Sequence, residues 1–405
     1  MEEQEKDDFD YANFEKEAIE KLKNGKELGG KDGVLGPMLK RLLEAAMEGE
    51  MDAHLDKEVA PNRRNGKMGK KVKTGFGTMH VNTPRDRNSS FEPQILPKRQ
   101  TTLGASLDHK VISLYGIGMS YSDICAHLDE LYGVTTSPAT LSTITDRVID
   151  EVKAWQGRPL ESVYPFIWLD AIHYKVKENG GIRSKAVYCI LAINREGIKE
   201  LLGMYVGENE GARYWLRVIS DLQNRGIKDI IIASVDNLKG LSNAIKSVFP
   251  DTEVQLCIVH QIRSSLKYVP FKNRKNVVRD LRQVYTAPSK DQAEVALVHL
   301  EEHWGKLHPA MVKSWLNNWE ELSNYFKYPD AIRRRIYTTN PIESFHSQLR
   351  KVTKTKRVFP SDMALMKLLY LVQNNVAKKW NTQVLGWNQT YSQLMIIFEN
   401  RLNQP

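Results

Sequence analysis

The chain from about residue 160 to 260 alternates short apolar runs with amphipathic segments. The apolar runs are strand-like and are separated by glycine- and asparagine-containing turns. They read YPFIWLD, SKAVYCILAIN, KELLGMYVGE, DIIIASVD and TEVQLCIV. The fourth run is continuously apolar, as expected of a parallel strand covered on both faces. Helical patterns lie between the third, fourth and fifth runs, so the order β-β-β-α-β-α-β predicts an α/β core.

A long helical and basic region follows this core, at about 261–335. Only after it does the segment TTNPIESFHSQLRK predict a further helix. The pattern therefore predicts an all-helical insertion over 261–335, with the core resuming at 336–400. Trp304, Trp315 and Trp319 lie among polar residues of this insertion, and we expect them in its core rather than stacked on DNA bases.

The first part of the chain has a different pattern. Residues 1–35 are polar and predict a flexible acidic arm, and 36–155 predict a mainly helical region. Within 107–150, Ser120 can cap a helix with Asp123 in the capping-box position, and Ser137 followed by Pro138 is a second helix start. Short helices joined by glycine-containing turns favour a helix-turn-helix that reads DNA. A helical hairpin that binds nothing is the alternative.

Charge supports a polyanion partner. The formal net charge is +9, but residues 1–20 carry −7, so the rest of the chain carries about +16. The stretch 63–73 holds six basic residues and no acid, and its glycines predict loops and short strands. We predict phosphate contacts by Arg63, Arg64, Lys70 and Lys71. The alternatives are a solvated linker and a charge surplus that only aids solubility.

The sequence also predicts a compartment. No apolar stretch approaches the roughly 18 residues that a membrane span needs, and the acidic amino terminus does not resemble a signal peptide. Cys125, Cys189 and Cys257 are odd in number and widely scattered. These features predict a cytoplasmic, nucleoid-associated protein with no membrane partner.

Three carboxylates occupy distinctive positions. Asp170 closes the first strand-like run and Asp236 closes the fourth, which places both at the rim of the predicted sheet. Glu343 lies near the start of the predicted late helix. Each has an ordinary alternative as a turn or cap residue: Asn340 can cap that helix with Pro341 at its first position, and Glu343 then completes a capping box.

Together the three acids suggest metal chemistry. Carboxylates can hold two divalent cations, Mg²⁺ or Mn²⁺, which activate water or a 3′-hydroxyl and stabilise the leaving oxygen of a phosphodiester. Helical spacing aligns Glu343 with the basic stretch 350–357, which has five cations in eight residues. We predict phosphate contacts by Arg350, Lys351 and Lys354.

With these motifs the chain resembles bacterial insertion-sequence transposases of the Mutator type. The resemblance runs from about residue 35 to 371 and includes LKRLLEAAMEGEMDAHL, GENEGARYWLRVISDLQNRG, VDNLKGL, VQLCIVHQIRSSLKYV and IYTTNPIESFHSQLRKVTK. It implies a ribonuclease H-like mixed-sheet core at 160–260 and 336–400. It also implies an acidic triad at Asp170, Asp236 and Glu343, and metal-dependent nicking and strand transfer at terminal inverted repeats through a circular intermediate.

The family's Cys-x-x-His motif matches Cys257 and His260, which the resemblance makes supporting residues. We expect Cys257 to be buried in the fifth strand. The alternative is a zinc site completed by His299 and His303. Departures from the family pattern are small, namely Asn237 in VDNLKGL and Pro341 and His346 in TTNPIESFHS, and all three triad carboxylates are present.

The function predicted on this basis is that of a DNA transposase acting as a homodimer on double-stranded DNA. A regulator derived from a transposase would bind DNA without needing all three acids. A structure-specific nuclease would share the core and the metals but would not join strands. These two functions are the alternatives.

Overall fold

The computed structural model describes residues 10–28, 33–57, 61–74, 77–99, 105–132, 134–208, 211–337 and 340–402. The chain forms two compact units, Met1–Arg147 and Val148–Pro405. The division falls before the predicted limit at residue 155. Helix α6 (Val148–Gln156) therefore belongs to the second unit, where its Trp155 ring contacts Tyr370 at 5.7 Å.

The first unit combines helices with an antiparallel hairpin. Its elements are α1 (Tyr11–Lys23), α2 (Gly36–Leu55), β1 (Arg64–Thr74), β2 (Gly77–Asp86), α3 (Ala105–Gly116), α4 (Tyr121–Tyr132) and α5 (Pro138–Asp146). Helix α1 falls in the stretch predicted to be a flexible arm. The Asp10 side chain caps it by accepting from the Asn13 amide at 2.9 Å. The acidic residues 1–9 lie outside the described residues.

The basic tract forms a regular strand, so the prediction of loops and short strands there is wrong. Strands β1 and β2 pair along their length, with one irregularity between Arg64 and Lys67. Packing on α2 stabilises the hairpin. Val72 and Val81 of the hairpin are buried in one cluster with Met47 of α2. Because side chains alternate between the two faces of a strand, β1 exposes Lys71 while it buries Val72 and Thr74.

The predicted helix starts at Ser120 and Ser137 are both confirmed. The Asp123 amide donates to Ser120 Oγ at 3.1 Å and the Ser120 amide donates back to Asp123 Oδ2 at 3.3 Å, which is a capping box. Ser137 accepts from the Thr140 amide at 3.2 Å. The helix predicted to start at Ser137 is divided at Arg147 into α5 and α6, on either side of the boundary between the units.

The second unit contains a mixed sheet and many helices. After α6 its elements are β3 (Val163–Glu178), β4 (Gly181–Ile193), β5 (Lys199–Gly207), α7 (Ala212–Asn224), β6 (Asp229–Val235), α8 (Leu241–Val248), β7 (Glu253–Leu256), α9 (Ile258–Ser265), α10 (Phe271–Tyr285), α11 (Lys290–Trp304), α12 (Pro309–Asn317), α13 (Trp319–Leu322), α14 (Asp330–Ile336), α15 (Asn340–Thr353), α16 (Asp362–Ala377) and α17 (Trp387–Leu402).

The five predicted strands are confirmed and form a sheet in the order β5-β4-β3-β6-β7. Strand β4 runs antiparallel to β3 and β5, whereas β3, β6 and β7 are mutually parallel. Asn179 and Gly180, with φ of 48° and 79°, join β3 to β4. Positive φ at both residues is the geometry of a two-residue hairpin turn whose twist matches that of the strands.

The sheet is buried by helices from distant parts of the sequence. Strand β3 is buried continuously from Val163 to Asp170, and α7 packs its apolar face, including Trp215, towards the core. The segment predicted as an insertion is helical in α10 to α14. Trp304 and Trp315 are buried there, as expected of core residues.

No helix among the described residues is long and apolar enough to cross a membrane.

Candidate active site

Asp170 and Asp236 lie at the same edge of the parallel part of the sheet. The last parallel register pair between β3 and β6 is Leu169 with Val235, and each acid is the next residue along the chain. Neighbouring strands lie about 4.8 Å apart, so the backbone brings the two acids together as predicted.

Asp170 nevertheless does not end its strand, and that expectation is wrong. Strand β3 continues for eight residues to Glu178 because this extension pairs with β4. The sequence changes from continuously apolar to alternating after Asp170 because β3 no longer pairs with the parallel strand β6 there. It still pairs with the antiparallel strand β4.

His346 holds the Asp170 carboxylate. Its Nδ1 lies 3.3 Å from Asp170 Oδ2, and the Ala171 amide donates to Oδ1 at 2.8 Å. Burial alone would raise the pKa of Asp170. The hydrogen bond and charge of His346, together with the charge of His260, outweigh burial and lower this pKa below its usual value. The strand therefore presents an ionised carboxylate although the residue is buried.

Glu343 lies in the first turn of α15 and is paired with two cationic side chains from α9. Arg263 donates to Oε1 at 2.5 Å and to Oε2 at 3.4 Å, and His260 Nε2 lies 3.4 Å from Oε1. The helix begins at Asn340 itself, one residue earlier than expected with Asn340 as its cap. The preceding residues 338–339 lie outside the described part of the chain.

His260 connects the three acids electrostatically. Burial would lower its pKa, but a hydrogen bond and charge from Cys257 and the charges of Asp170 and Asp236 raise it to about 9. The same ring contacts Glu343 through Nε2. A cationic side chain thus lies among all the predicted triad residues.

The expected position of Cys257 is wrong in detail. Strand β7 ends at Leu256, and buried Cys257 is the residue that caps α9, with extended backbone angles. Its amide donates to the Val235 carbonyl at 2.8 Å, which ties the start of α9 to β6. This contact places His260 one helical turn beyond the edge that carries Asp236.

The chemistry of the donor set suits a hard divalent cation. Carboxylate oxygens are the ligands that Mg²⁺ and Mn²⁺ favour, and the pairing of these acids with cationic groups shows that the site favours positive charge. Within the described ranges, no three His, Cys, Asp or Glu side chains stand close enough to hold an ion. Instead, Arg263 and His260 pair with Glu343, and His346 contacts Asp170.

The alternative zinc set is not assembled. His299 Nδ1 lies 3.4 Å from Glu302, and His303 Nδ1 lies 3.5 Å from Asp280. These contacts join the two histidines to acids of the helical segment, and neither contact involves Cys257.

The side chains predicted to contact phosphate differ in their exposure and in the contacts they already make. Arg350, Lys351 and Lys354 are exposed along α15 and just beyond it, beginning two turns after Glu343. In the first unit Arg63 and Lys71 are exposed.

Two further cations of the first unit are already engaged. Arg64 pairs with Glu48 and Asp52, and Lys70 donates to the Pro97 carbonyl at 2.8 Å. Burial lowers the pKa of Lys70.

Arg263 and His346 contact the predicted triad, although the sequence pattern did not predict either as a site residue. The signal that could have found them is helical spacing. His346 follows Glu343 by three residues and Arg263 follows His260 by three residues, so each shares a helix face with a predicted site residue.

Comparison with known proteins identifies the family. A family model described as "Transposase, Mutator family" matches residues 12–383. A probable transposase for an ISRM3-like insertion sequence element of Sinorhizobium fredii and the transposase for ISRM3 of Rhizobium meliloti are each 44% identical over 396 residues. Both matches cover 96% of this chain and 99% of the relative. The chain is thus similar to transposases over nearly its full length. It belongs to the Mutator family of transposases.

Among solved structures, the Drosophila P element transposase strand transfer complex has a TM-score of 0.39 and 10% identity, covering 68% of this chain and 93% of that chain. A likeness this distant carries no argument about the site.

Proposed function

We propose that this transposase nicks and joins DNA strands at the terminal inverted repeats of an insertion sequence, and that Asp170, Asp236 and Glu343 form its catalytic triad. The observation that carries the proposal is that residues 173 positions apart in the sequence, Asp170 and Glu343, are linked in space through His260. Ordinary turn or cap residues on separate elements would have no reason to converge in this way.

The catalytic unit is proposed to be ribonuclease H-like. Its sheet order β5-β4-β3-β6-β7, with only β4 reversed among these strands, supports that assignment. We assign 160–260 and 336–400 to the core and 261–335 to a helical insertion. The region 36–155, with its helix-turn-helix at about 107–150, is proposed to bind double-stranded DNA of the element's own ends.

The triad carboxylates are proposed to hold two Mg²⁺ or Mn²⁺ ions. Bound ions would activate the attacking water or 3′-hydroxyl and stabilise the leaving oxygen. The chain's own residues prepare this site. His346 keeps Asp170 ionised and fixed, and Arg263 neutralises Glu343 until a stronger cation takes its place.

DNA is proposed to follow the cations next to the site. Arg350, Lys351 and Lys354 continue from the helix that carries Glu343, so phosphates held there would lie beside the triad. Two element ends must meet for transfer, which supports a homodimer on DNA. We place this activity in the cytoplasm, at the nucleoid.

The test is a labelled duplex that carries the terminal repeat, incubated with Mg²⁺. Nicking followed by joining is expected. Nicking without joining would favour a structure-specific nuclease, and stable binding without cleavage would favour a regulator.

Asp236→Asn should abolish nicking and keep DNA binding. Asp251→Asn, which changes an exposed acid of the same unit, should change neither activity and serves as the matched control. Undiminished cleavage by Asp236→Asn would reject the triad assignment.

A further inference from the structure

Two aromatic side chains are exposed immediately after the helix that carries His260 and Arg263. The Tyr268 side chain is 58% exposed and that of Phe271 is 87% exposed. Isolated exposed apolar residues are common on protein surfaces. Two rings within four residues are a denser arrangement, and water solvates both poorly unless a partner covers them.

The backbone between the two rings is anchored. Val269, between them, is 2% exposed, and its carbonyl accepts from Arg274 Nε at 3.1 Å. On the preceding helix, Ser265 Oγ accepts from Trp315 Nε1 at 2.9 Å. The rings therefore extend from a fixed segment, which lowers the entropy cost of binding a partner.

The sequence around the rings is rich in basic residues. From Val254 to Arg279 the sequence contains no acid and six basic residues, all of them exposed. These are Arg263, Lys267, Lys272, Arg274, Lys275 and Arg279. Such a surface repels a basic partner and attracts a polyanion that also carries flat apolar groups.

Nucleic acid has that combination. Exposed aromatic rings among cations are the arrangement by which proteins bind unpaired nucleotides, since each base can stack on a ring while its phosphate meets a cation. Duplex DNA hides its base faces and would use only the charges. The exposed rings thus distinguish an unpaired nucleotide from an intact duplex.

The position relative to the candidate active site supports this ligand. Tyr268 follows Arg263 by five residues, so their backbones lie within about 18 Å even if that segment were extended. This distance is about five base steps of DNA. A strand opened next to the cleavage site would reach the rings.

We propose that Tyr268 and Phe271 form a stacking surface for an unpaired nucleotide of the DNA near the cleaved strand end. This inference rests on the proposed function, and it adds that the enzyme opens or captures single-stranded DNA beside its catalytic site.

The test uses the full chain without added metal, so that binding is measured apart from cleavage. The probes are a blunt terminal-repeat duplex and the same duplex with a single-stranded tail that contains 2-aminopurine. Phe271→Ala should weaken binding of the tailed probe by about 5- to 150-fold and leave blunt-duplex affinity unchanged. Quenching of 2-aminopurine on binding should also be lost.

Conservative variants separate stacking from apolar contact. Phe271→Tyr should keep the tailed-probe affinity, whereas Phe271→Leu should behave like Phe271→Ala. Leu385→Ala removes an equally exposed apolar side chain from an uncharged stretch and should change nothing.

Equal losses on both probes, or full binding by Phe271→Leu, would overturn the proposal. A change in oligomer mass for Phe271→Ala, measured by light scattering, would instead identify a protein interface and also overturn it. If tailed-probe binding depends on Phe271 while the wild-type chain fails to nick, the stacking surface stands and the proposed catalytic function fails.

Discussion

Arg263 donates hydrogen bonds to both carboxylate oxygens of Glu343, at 2.5 and 3.4 Å. A metal ion bound by Glu343 must displace this guanidinium. The Arg263 side chain is 59% exposed, and ion pairs at such positions contribute about 0.2–1 kcal/mol.

We therefore expect Arg263→Ala to tighten Mn²⁺ binding by up to about 5-fold in the DNA-free protein, measured by electron paramagnetic resonance. Arg279→Ala, an exposed change on the next long helix, should leave the affinity as it is. Unchanged or weaker Mn²⁺ binding by Arg263→Ala would show that the two cations do not compete for Glu343.

His346 and Asp170 should be energetically coupled. His346→Phe removes the contact to the buried carboxylate and is expected to lower the free energy of unfolding by about 1.5–3 kcal/mol. In an Asp170→Asn background the same change should cost less, with a coupling of about 0.5–3 kcal/mol in urea denaturation. This double-mutant cycle cancels the effect of each substitution on packing. If the two substitutions changed the free energy of unfolding additively, the 3.3 Å contact between His346 and Asp170 would contribute nothing to stability.

The cations after Glu343 should set the salt dependence of DNA binding. Replacing Arg350, Lys351 and Lys354 together with alanine should reduce the slope of log affinity against log salt by about 2.7, because each phosphate that a cation neutralises adds about 0.9 to that slope. Lys378→Ala with Lys379→Ala removes exposed cations from the end of α16 and is the control. If both sets change the slope equally, the α15 cations have no special role.

Two glycines with similar φ allow backbone strain to be separated from steric contact. Gly180 has φ of +79°, and a Cβ atom added there would meet no other atom within 4 Å. Gly197 has φ of +82°, and a Cβ atom added there would clash with the Trp387 ring. Gly180→Ala should cost about 1–2 kcal/mol from strain alone. Gly197→Ala should cost about 1–3 kcal/mol more by thermal or urea unfolding; equal costs would mean that Trp387 moves freely.

Asp86 gives the first unit a predictable pH dependence. Burial would raise its pKa, but hydrogen bonds from Asn62, Ser90 and Phe91 hold the pKa well below its usual range. A depressed folded-state pKa stabilises the fold above the unfolded pKa of about 3.9, and this contribution is lost as pH falls towards the folded value.

Asp86→Asn should therefore destabilise the unit by about 1–3 kcal/mol at neutral pH. The difference in free energy of unfolding between the wild type and Asp86→Asn should become smaller below about pH 4. If this difference stayed constant from pH 7 to pH 3, the lowered pKa of Asp86 would be contradicted.

The sequence alone was sufficient for the local features. Strand periodicity located β3 to β7 and cap chemistry located the starts of α4 and α5, because both depend on neighbouring residues. The alignment of Asp170 with Asp236 also agreed with the local pattern, because each acid directly follows the apolar run that forms the parallel pairing between β3 and β6. The long β1–β2 hairpin was not predicted because its glycines suggested loops, while its stability comes from packing on α2.

Only the tertiary structure placed side chains of α9 and α15 beside Glu343 and Asp170. Arg263 meets Glu343 across 80 residues, and His346 meets Asp170 across 176. No periodicity encodes such pairings, because they depend on how α9 and α15 pack beside the sheet. The sequence predicted the three carboxylates, and the packing of those two helices decided which side chains lie beside Asp170 and Glu343.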